Sequence, residues 1–365
     1  MSVRYGIIGT GMMGQEHIRN ITLLDGAEIA AVADPNEQMR ASGIAATGGT
    51  ARGFTDYREM LSADLCDAYV IASPNDRHHE QMLELLPGNK PLLVEKPLCT
   101  TTAHCRDLIA RVNGRTAPVW VAMEYRYMPP VERLLSELEK GRAGTPHMIA
   151  IREHRFPFLE KVGHWNRFAD RTGGTLVEKC CHFWDLMRLI AQSEPVRVYA
   201  SAAMDVNHRF ELFDGRNADV VDNAFVVLDF ANGMRGMLDL CMFAEGSEWQ
   251  EVVSVTGDAA RIDACVPGPA RFQPGGVERH SEVHISDRTS KHVSRSRITV
   301  DEAILRAGDH HGSTFFQHRK FLDLVRTGQG TPEVTLEDGL WAVRIGEAAE
   351  LSARTGQAVA LDDAA

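Results

Sequence analysis

Six residues near the start, Gly9-Thr10-Gly11-Met12-Met13-Gly14, constrain this chain more than any other feature. They match GxGxxG, which is weak by itself. Ahead of them Arg4-Tyr5-Gly6-Ile7-Ile8 reads as a buried strand, and after them a helix runs to about Leu24. A second strand follows over 28–33, and Asp34 ends it 20 residues after Gly14. This is the context of a strand–turn–helix unit that cradles a dinucleotide. Gly9 permits the tight turn, Gly11 lets the backbone approach a pyrophosphate, and Gly14 lets the helix pack on the sheet. Met12 and Met13 open the helix whose N-terminus receives the phosphate charge. Asp34 accepts from the adenosine ribose hydroxyls and repels a 2′-phosphate. Pro35-Asn36 offer no Arg for that phosphate, so the expected cofactor is NAD rather than NADP. The alternative, a helix start with incidental glycines, does not explain the Asp34 spacing.

The first third keeps alternating. Strands are expected over 67–72, 91–95 and 118–122, with a helix over about 76–86. Strands separated by helices give a parallel sheet with right-handed crossovers. After about residue 123 the pattern changes. A helix over 130–140, a strand over 147–154 and an apolar helix over 175–191 precede long β-rich runs. The runs 223–230 and 234–243 flank Asn232-Gly233, a hairpin signal. The runs 252–256 and 261–266 flank Gly257-Asp258. Helices return over 314–326 and 336–353. The stretch 267–296 reads as a loop or a weakly ordered hairpin. The expected fold is α/β: an N-terminal nucleotide-binding domain over 1–122, then an α+β domain over 123–365 with a large, mostly antiparallel sheet. The C-terminal helices are free to pack back on the first domain.

Composition narrows the function. The 365 residues carry a formal charge of −11, unsuited to general nucleic-acid binding, which needs a basic face. No apolar run approaches the roughly 20 residues that span a bilayer. Met1-Ser2-Val3-Arg4 leads into a strand with no signal-peptide layout. Seven cysteines (66, 99, 105, 180, 181, 241 and 265) are irregularly spaced without a CxxC pair. A cytoplasmic location with reduced thiols is expected, and no metal. Adjacent His310 and His311 make a poor pair of ligands for one ion.

Glu95-Lys96-Pro97 closes a strand of the first domain, after Ser73-Pro74-Asn75 and His78. Much later comes Gly173-Gly174, then Glu178-Lys179-Cys180-Cys181-His182-Phe183-Trp184-Asp185. With the glycine fingerprint, these resemble the glucose–fructose oxidoreductase/inositol dehydrogenase/rhizopine catabolism (Gfo/Idh/MocA) family over nearly the whole chain. The resemblance implies a Rossmann domain, a second domain on a large open sheet, homo-oligomers through that sheet, and NAD(P)-linked chemistry on sugars and cyclitols. It implies a catalytic Lys96 partnered by His182, with Ser73, Pro74, Asn75, His78, Glu95 and Lys96 beside the cofactor. Three positions depart from the family pattern: Glu178 stands where Asp is usual, Lys179 where a small residue is common, and Glu124-Tyr125-Arg126 where Asn-x-Arg is usual.

The residues suit the chemistry. Oxidising a secondary alcohol needs a base for the hydroxyl proton and a donor or cation for the developing alkoxide. His182 suits the first role and Lys96 the second. Lys96-Pro97 is a candidate cis bond. Glu178 and His182 are i and i+4 on the expected helix, so Glu178 would orient the imidazole, and Asp185 at i+3 could do the same. The bland alternatives are a solvated Glu95-Lys96 pair and a satisfied core histidine. Over 152–171 there are five Lys/Arg against three Asp/Glu, a local excess in an acidic chain. It suggests a substrate with an anionic substituent, or else a solvated loop. Glu124, Arg155, His164, Trp165, Asn166, Lys179, His310 and His311 are the substrate-side candidates. The leading function is an NAD-dependent dehydrogenase of a sugar, sugar acid or cyclitol. The alternatives are an NAD-dependent glycoside hydrolase acting on an anionic sugar glycoside, such as a sulfosugar, and a non-enzymatic NAD sensor.

Overall fold

The computed structural model describes residues 2–269, 272 and 279–361. Six short strands form the first sheet: β1 (Val3–Ile8), β2 (Ala27–Ala33), β3 (Arg52–Phe54), β4 (Ala68–Ile71), β5 (Leu92–Val94) and β6 (Val119–Val121). They pair in parallel in the order β3-β2-β1-β4-β5-β6. A parallel sheet is covered on both faces, which is why β4 and β5 are apolar throughout and wholly buried. The order reverses between β1 and β4, and the glycine turn and the Ser73 loop lie at the ends of those two strands. Open α/β sheets bind ligands at that crevice.

The second domain supplies β7 (Pro146–His154), β8 (Pro195–Ala203), β9 (Leu212–Phe213), β10 (Arg216–Asn217), β11 (Asn223–Phe230) and β12 (Arg235–Cys241). It continues with β13 (Glu251–Gly257), β14 (Ala260–Val266), β15 (Ser281–Asp287), β16 (Val293–Ile298) and β17 (Val359–Ala360). Strands β9 and β10 form a small separate hairpin. The others make a nine-stranded sheet, β16-β15-β14-β13-β7-β12-β11-β8-β17, antiparallel except where β7 meets β12. Asn232-Gly233 makes the expected turn, with Gly233 at φ +84°. Helices Pro129–Glu139, Cys181–Ala191 and Leu336–Thr355 cover one face. On the other, Met148, Tyr199, Phe225, Val227 and Met237 alternate outward and are exposed.

Two strands carry no sequence expectation and two expectations need correction. Strand β3, unread, is three residues long, too short for a periodicity signal. Strand β8 alternates, but its outward positions include Val196 and Tyr199, which blur the pattern. Part of 267–296 lies outside the described residues, and of the two alternatives the rest takes the hairpin, regularly paired rather than weakly ordered. Strands β15 and β16 pair antiparallel and extend the sheet, held by Val283 inside and hydrogen bonds outside. The apolar helix over 175–191 is two pieces, Thr175–Glu178 and Cys181–Ala191. Between them Cys180 N reaches back five residues to Thr175 O.

The long helix Leu336–Thr355 ties the domains together. It packs mainly on β8 and Cys181–Ala191, and also on Thr102–Arg111 and β6. Just before it, Val334 O accepts from Val121 N at 3.2 Å. Beside this seam Arg126 leaves β6, with Nε on Asp185 Oδ2 at 2.6 Å and Nη1 on Glu333 O at 2.7 Å. Asp185 is fully buried and wholly engaged by Arg126, so it does not orient His182 as the i+3 spacing suggested. Removing one partner of a buried pair strands the other's charge. Asp185→Ala is expected to cost about 3–5 kcal/mol in urea unfolding, and a loss under about 1 kcal/mol, the range of an exposed pair, would show the bond to be dispensable.

Candidate active site

The nucleotide turn is built as the glycine spacing requires. Gly9 sits at φ +89°, and a Cβ there would lie 2.7 Å from Ala72 O. A Cβ on Gly14 would lie 2.0 Å from Gly9 O, so the helix could not close on the turn. A Cβ on Gly11 would meet no atom within 4 Å. Gly11 is also the N-cap of Met12–Ile21 and lends the helix no side-chain cap, which leaves the first amides for a phosphate. Met12 is exposed at that N-terminus and Met13 half-buried. Asp34 follows β2. Its Oδ2 accepts from Thr10 N at 2.8 Å and its Oδ1 from Asn36 N at 2.9 Å. Arg40 reaches back to Asp34 O at 2.8 Å, a basic neighbour that residues 35–36 alone do not reveal. Asn75 is buried, and its Nδ2 finds no partner among the described residues. An open cradle over Gly11, free helix amides and an orphaned amide donor fit a dinucleotide.

Other candidates beside the cofactor have structural duties. His78 is fully buried, with Nδ1 2.8 Å from Pro97 O and Nε2 3.1 Å from Ser73 O. It ties two strand-end loops together and has no surface for a cofactor, contrary to the expectation. Ser73 Oγ donates to Gln81 Oε1 at 2.6 Å, and Pro74 opens the turn that carries Asn75. Glu95 is buried, with Oε1 2.9 Å from His17 Nε2, and Lys96 N lies 3.2 Å from its Oε2. His17 Nδ1 continues to His318 Nε2 at 2.7 Å. Burial opposes charge on both partners, yet each holds the other ionised: Glu95 is shifted down and His17 up. The Lys96–Pro97 bond is cis.

Lys96 crosses the seam. Its Nζ donates to Glu178 O at 3.1 Å. Burial opposes its charge, but Glu178, Glu95 and Glu124 outweigh that and raise its pKa. His182 goes the other way. Burial pushes its pKa well below the usual imidazole value, and Lys96, Lys179, His310 and Arg155 push it further. A charged ammonium and a neutral imidazole thus lie within each other's field, on different domains. Glu178 does not orient the imidazole. Because the helix breaks between them, the i,i+4 face is lost, and Glu178 Oε1 turns to Lys161 Nζ at 3.6 Å. Glu178 Oε2 and His182 Nδ1 are both buried without a partner among the described residues.

Two clusters that the sequence did not assemble surround this pair. In the first, Glu16 from the cofactor helix holds His310 Nδ1 at 2.7 Å and accepts from Thr314 Oγ1 at 3.1 Å. The single hydroxyl proton of Thr314 is shared with Glu124, whose carboxylate also contacts Thr314 Oγ1 and lies 3.5 Å from His310. Burial opposes both charges here, but Glu16 and Glu124 lift His310 to about 10, and His310 and its neighbours bring Glu16 down to about 2. In the second, Lys179 Nζ sits 2.8 Å from Glu153 Oε1 and donates to Tyr125 OH at 2.7 Å. Glu153 and Glu251 face each other on β7 and β13, and burial, then Glu153, raises Glu251 to about 7. Spacing gave no signal for Tyr125, Glu153, Glu251, Glu16 or Thr314. The departures at 124–126 and 179 were the only pointers.

The basic stretch does not converge. Arg155 lies 3.5 Å from Glu153, Arg167 bonds Glu211 at 2.9 Å, and Arg171 bonds Asp76 at 3.0 Å. Trp165 is buried with Lys161 over its ring at 4.4 Å. Asn166 is buried and donates to Leu159 O at 2.9 Å. His164 stacks on Phe213 at 4.2 Å. His311 turns away to Pro267 O at 2.5 Å. Of the substrate-side candidates, Glu124, Lys179, His182 and His310 gather, Arg155 borders them, and His164, Asn166 and His311 are committed elsewhere. Among the described residues no cluster of three ligating side chains suits a metal.

The family model described as "Oxidoreductase family, NAD-binding Rossmann fold" matches residues 3–123, and its partner, "C-terminal alpha/beta domain", matches 136–361. The chain belongs to the Gfo/Idh/MocA oxidoreductase family. As a member it carries an NAD-binding Rossmann domain and a C-terminal α/β domain. It is 27% identical over 361 residues to the uncharacterized oxidoreductase YrbE of Bacillus subtilis, covering 98% of this chain and 96% of that one. It is 25% identical over 363 residues to myo-inositol 2-dehydrogenase of Thermotoga maritima, covering 99% of each. A levoglucosan dehydrogenase solved with NADH and levoglucosan shares the fold at a TM-score of 0.83, with 18% identity and full coverage of both chains.

Two outcomes are expected. Gly11→Leu should keep the wild-type Tm but lose NAD binding by calorimetry, whereas Gly14→Ala should lower the Tm; equal Tm losses would refute the contrast. Stability should also follow His310. Its raised pKa contributes fully below about 6.5, and the contribution is lost as pH rises through about 10. Glu16 contributes above about 4.5, and its share is lost as pH falls through about 2. Glu16→Gln should therefore flatten the decline in unfolding free energy on the alkaline side, measured by urea titrations.

Proposed function

We propose that this protein is an NAD-dependent dehydrogenase that oxidises a secondary alcohol of a neutral sugar or cyclitol. One observation carries the reading: Lys96, at the end of a nucleotide-sheet strand, reaches Glu178 O at 3.1 Å beside the buried His182, where facing carboxylates favour the charged ammonium and burial favours the neutral imidazole. The glycine turn, Asp34 and Asn75 would hold NAD, which when bound accepts the hydride from the carbinol carbon. His182 takes the hydroxyl proton, and Lys96 stabilises the negative charge that develops on that oxygen. Lys96 stays protonated and need not act as the base. Products are the ketone, NADH and a proton.

A neutral substrate is favoured over an anionic one. Four of the five cations of 152–171 that suggested an anion meet acids, with Glu153 shared between Arg155 and Lys179, while Arg152 Nε is buried without a partner among the described residues. The names of relatives, myo-inositol and levoglucosan dehydrogenases, support a polyol. The exposed apolar face of the nine-stranded sheet supports a homo-oligomer.

The test mixes protein and NAD with myo-inositol, neutral sugars, sugar acids and aryl glycosides, following NADH and aglycone together. NADH with a neutral polyol is expected. Aglycone release without net NADH would replace the reading with redox-neutral glycoside cleavage. Lys96→Ala and His182→Ala should fold, bind NAD and lose turnover by about 10²–10⁴-fold; near-wild-type turnover in either would overturn its role.

A further inference from the structure

If His182 is the base, its ring must be held in one plane, and no carboxylate does this. Glu178 is turned to Lys161 and Asp185 to Arg126. His182 Nδ1 is buried and has no partner among the described residues. What packs flat against the imidazole is Tyr125, with ring centroids 4.0 Å apart and planes 4° from parallel. Tyr125 is itself clamped. Its hydroxyl accepts from Lys179 Nζ at 2.7 Å and donates to Glu251 Oε1 at 3.3 Å, and its ring meets Phe183 edge-on at 5.8 Å. Lys179 is anchored in turn on Glu153 at 2.8 Å. Lys179, and Glu124 beside Tyr125, stand where this chain leaves the family pattern.

We propose that Tyr125 is a positioning residue for His182, a rigid plate locked by Lys179 and Glu251 that sets the imidazole plane where a carboxylate would otherwise do so. The proposal rests on the role of His182 as base. A carboxylate partner fixes an imidazole by accepting from one nitrogen, and it favours the protonated ring. A stacked phenol fixes the plane through shape and dispersion and leaves both nitrogens free. It also excludes water from one face. The groups facing His182 are Lys96 from the end of β5, Lys179 from the preceding segment, Arg155 from beyond β7 and His310 from the loop before helix Ser313–Thr327. All are cationic or basic, so without the plate only water would be gained as a new stabiliser of the charged ring.

The test reads the ring itself. Full-length protein labelled with ¹⁵N-histidine is titrated by NMR, with His182→Asn assigning the resonance. In the wild type the ring should stay neutral at pH 6. Tyr125→Leu should raise its titration midpoint by about one pH unit or more. Tyr125→Phe keeps the plate without its hydroxyl lock and should shift the midpoint less than Tyr125→Leu does. Should Tyr125→Leu not fold, Tyr125→Met fills the same space without a plane and should behave the same way. A folded Leu or Met variant with an unchanged His182 titration overturns the proposal. An active His182→Asn would instead overturn the base assignment, leaving the NMR result to decide the positioning.

Discussion

The bond from Lys96 Nζ to Glu178 O is the point on which the site depends. Lys96 ends a strand of the nucleotide sheet, and Glu178 ends a short helix of the second domain. An ammonium buried there is tolerable only because carboxylates from both domains face it. Remove the second domain and the cation loses Glu178. Remove the Rossmann sheet and nothing delivers Lys96 to the imidazole. The carboxylates keep Lys96 charged, and that charge, with burial, helps keep His182 neutral, so the two protonation states are linked.

Around this contact buried charge joins segments far apart in sequence: Glu16 with His310 links the two domains, and Arg126 with Asp185 and Lys179 with Glu153 brace the second. Buried pairs of this kind add little net stability but penalise any arrangement that separates them. They therefore act on the relative placement of the parts. The helix Leu336–Thr355 adds the apolar half of that placement by touching both domains.

Much of the fold was legible because its signals are local. The glycine turn, Asp34, the Asn232-Gly233 hairpin and the long C-terminal helices each announce themselves within a few residues. The elements that went unread are short, as β3 is, or weakly alternating, as β8 and β15 are. At the site, Lys96 and His182 came from motif and resemblance. The orienting roles assigned to Glu178 and Asp185 failed because both assumed an unbroken helix and uncommitted carboxylates. Lys161 and Arg126, distant in sequence, had already engaged them.

The sequence by itself determined the dinucleotide turn, the change from alternating β and α to a β-rich second half, and the family. These depend on steric limits at single glycines and on periodicities of a few residues. Tertiary structure decided which charges meet. It engaged most of an apparent cation excess with acids, folded His78 and His311 away from the cleft, and laid Tyr125 against His182. Electrostatic partners are chosen by distance in space, and burial sets how strongly each is felt, so neither can be read from spacing along the chain.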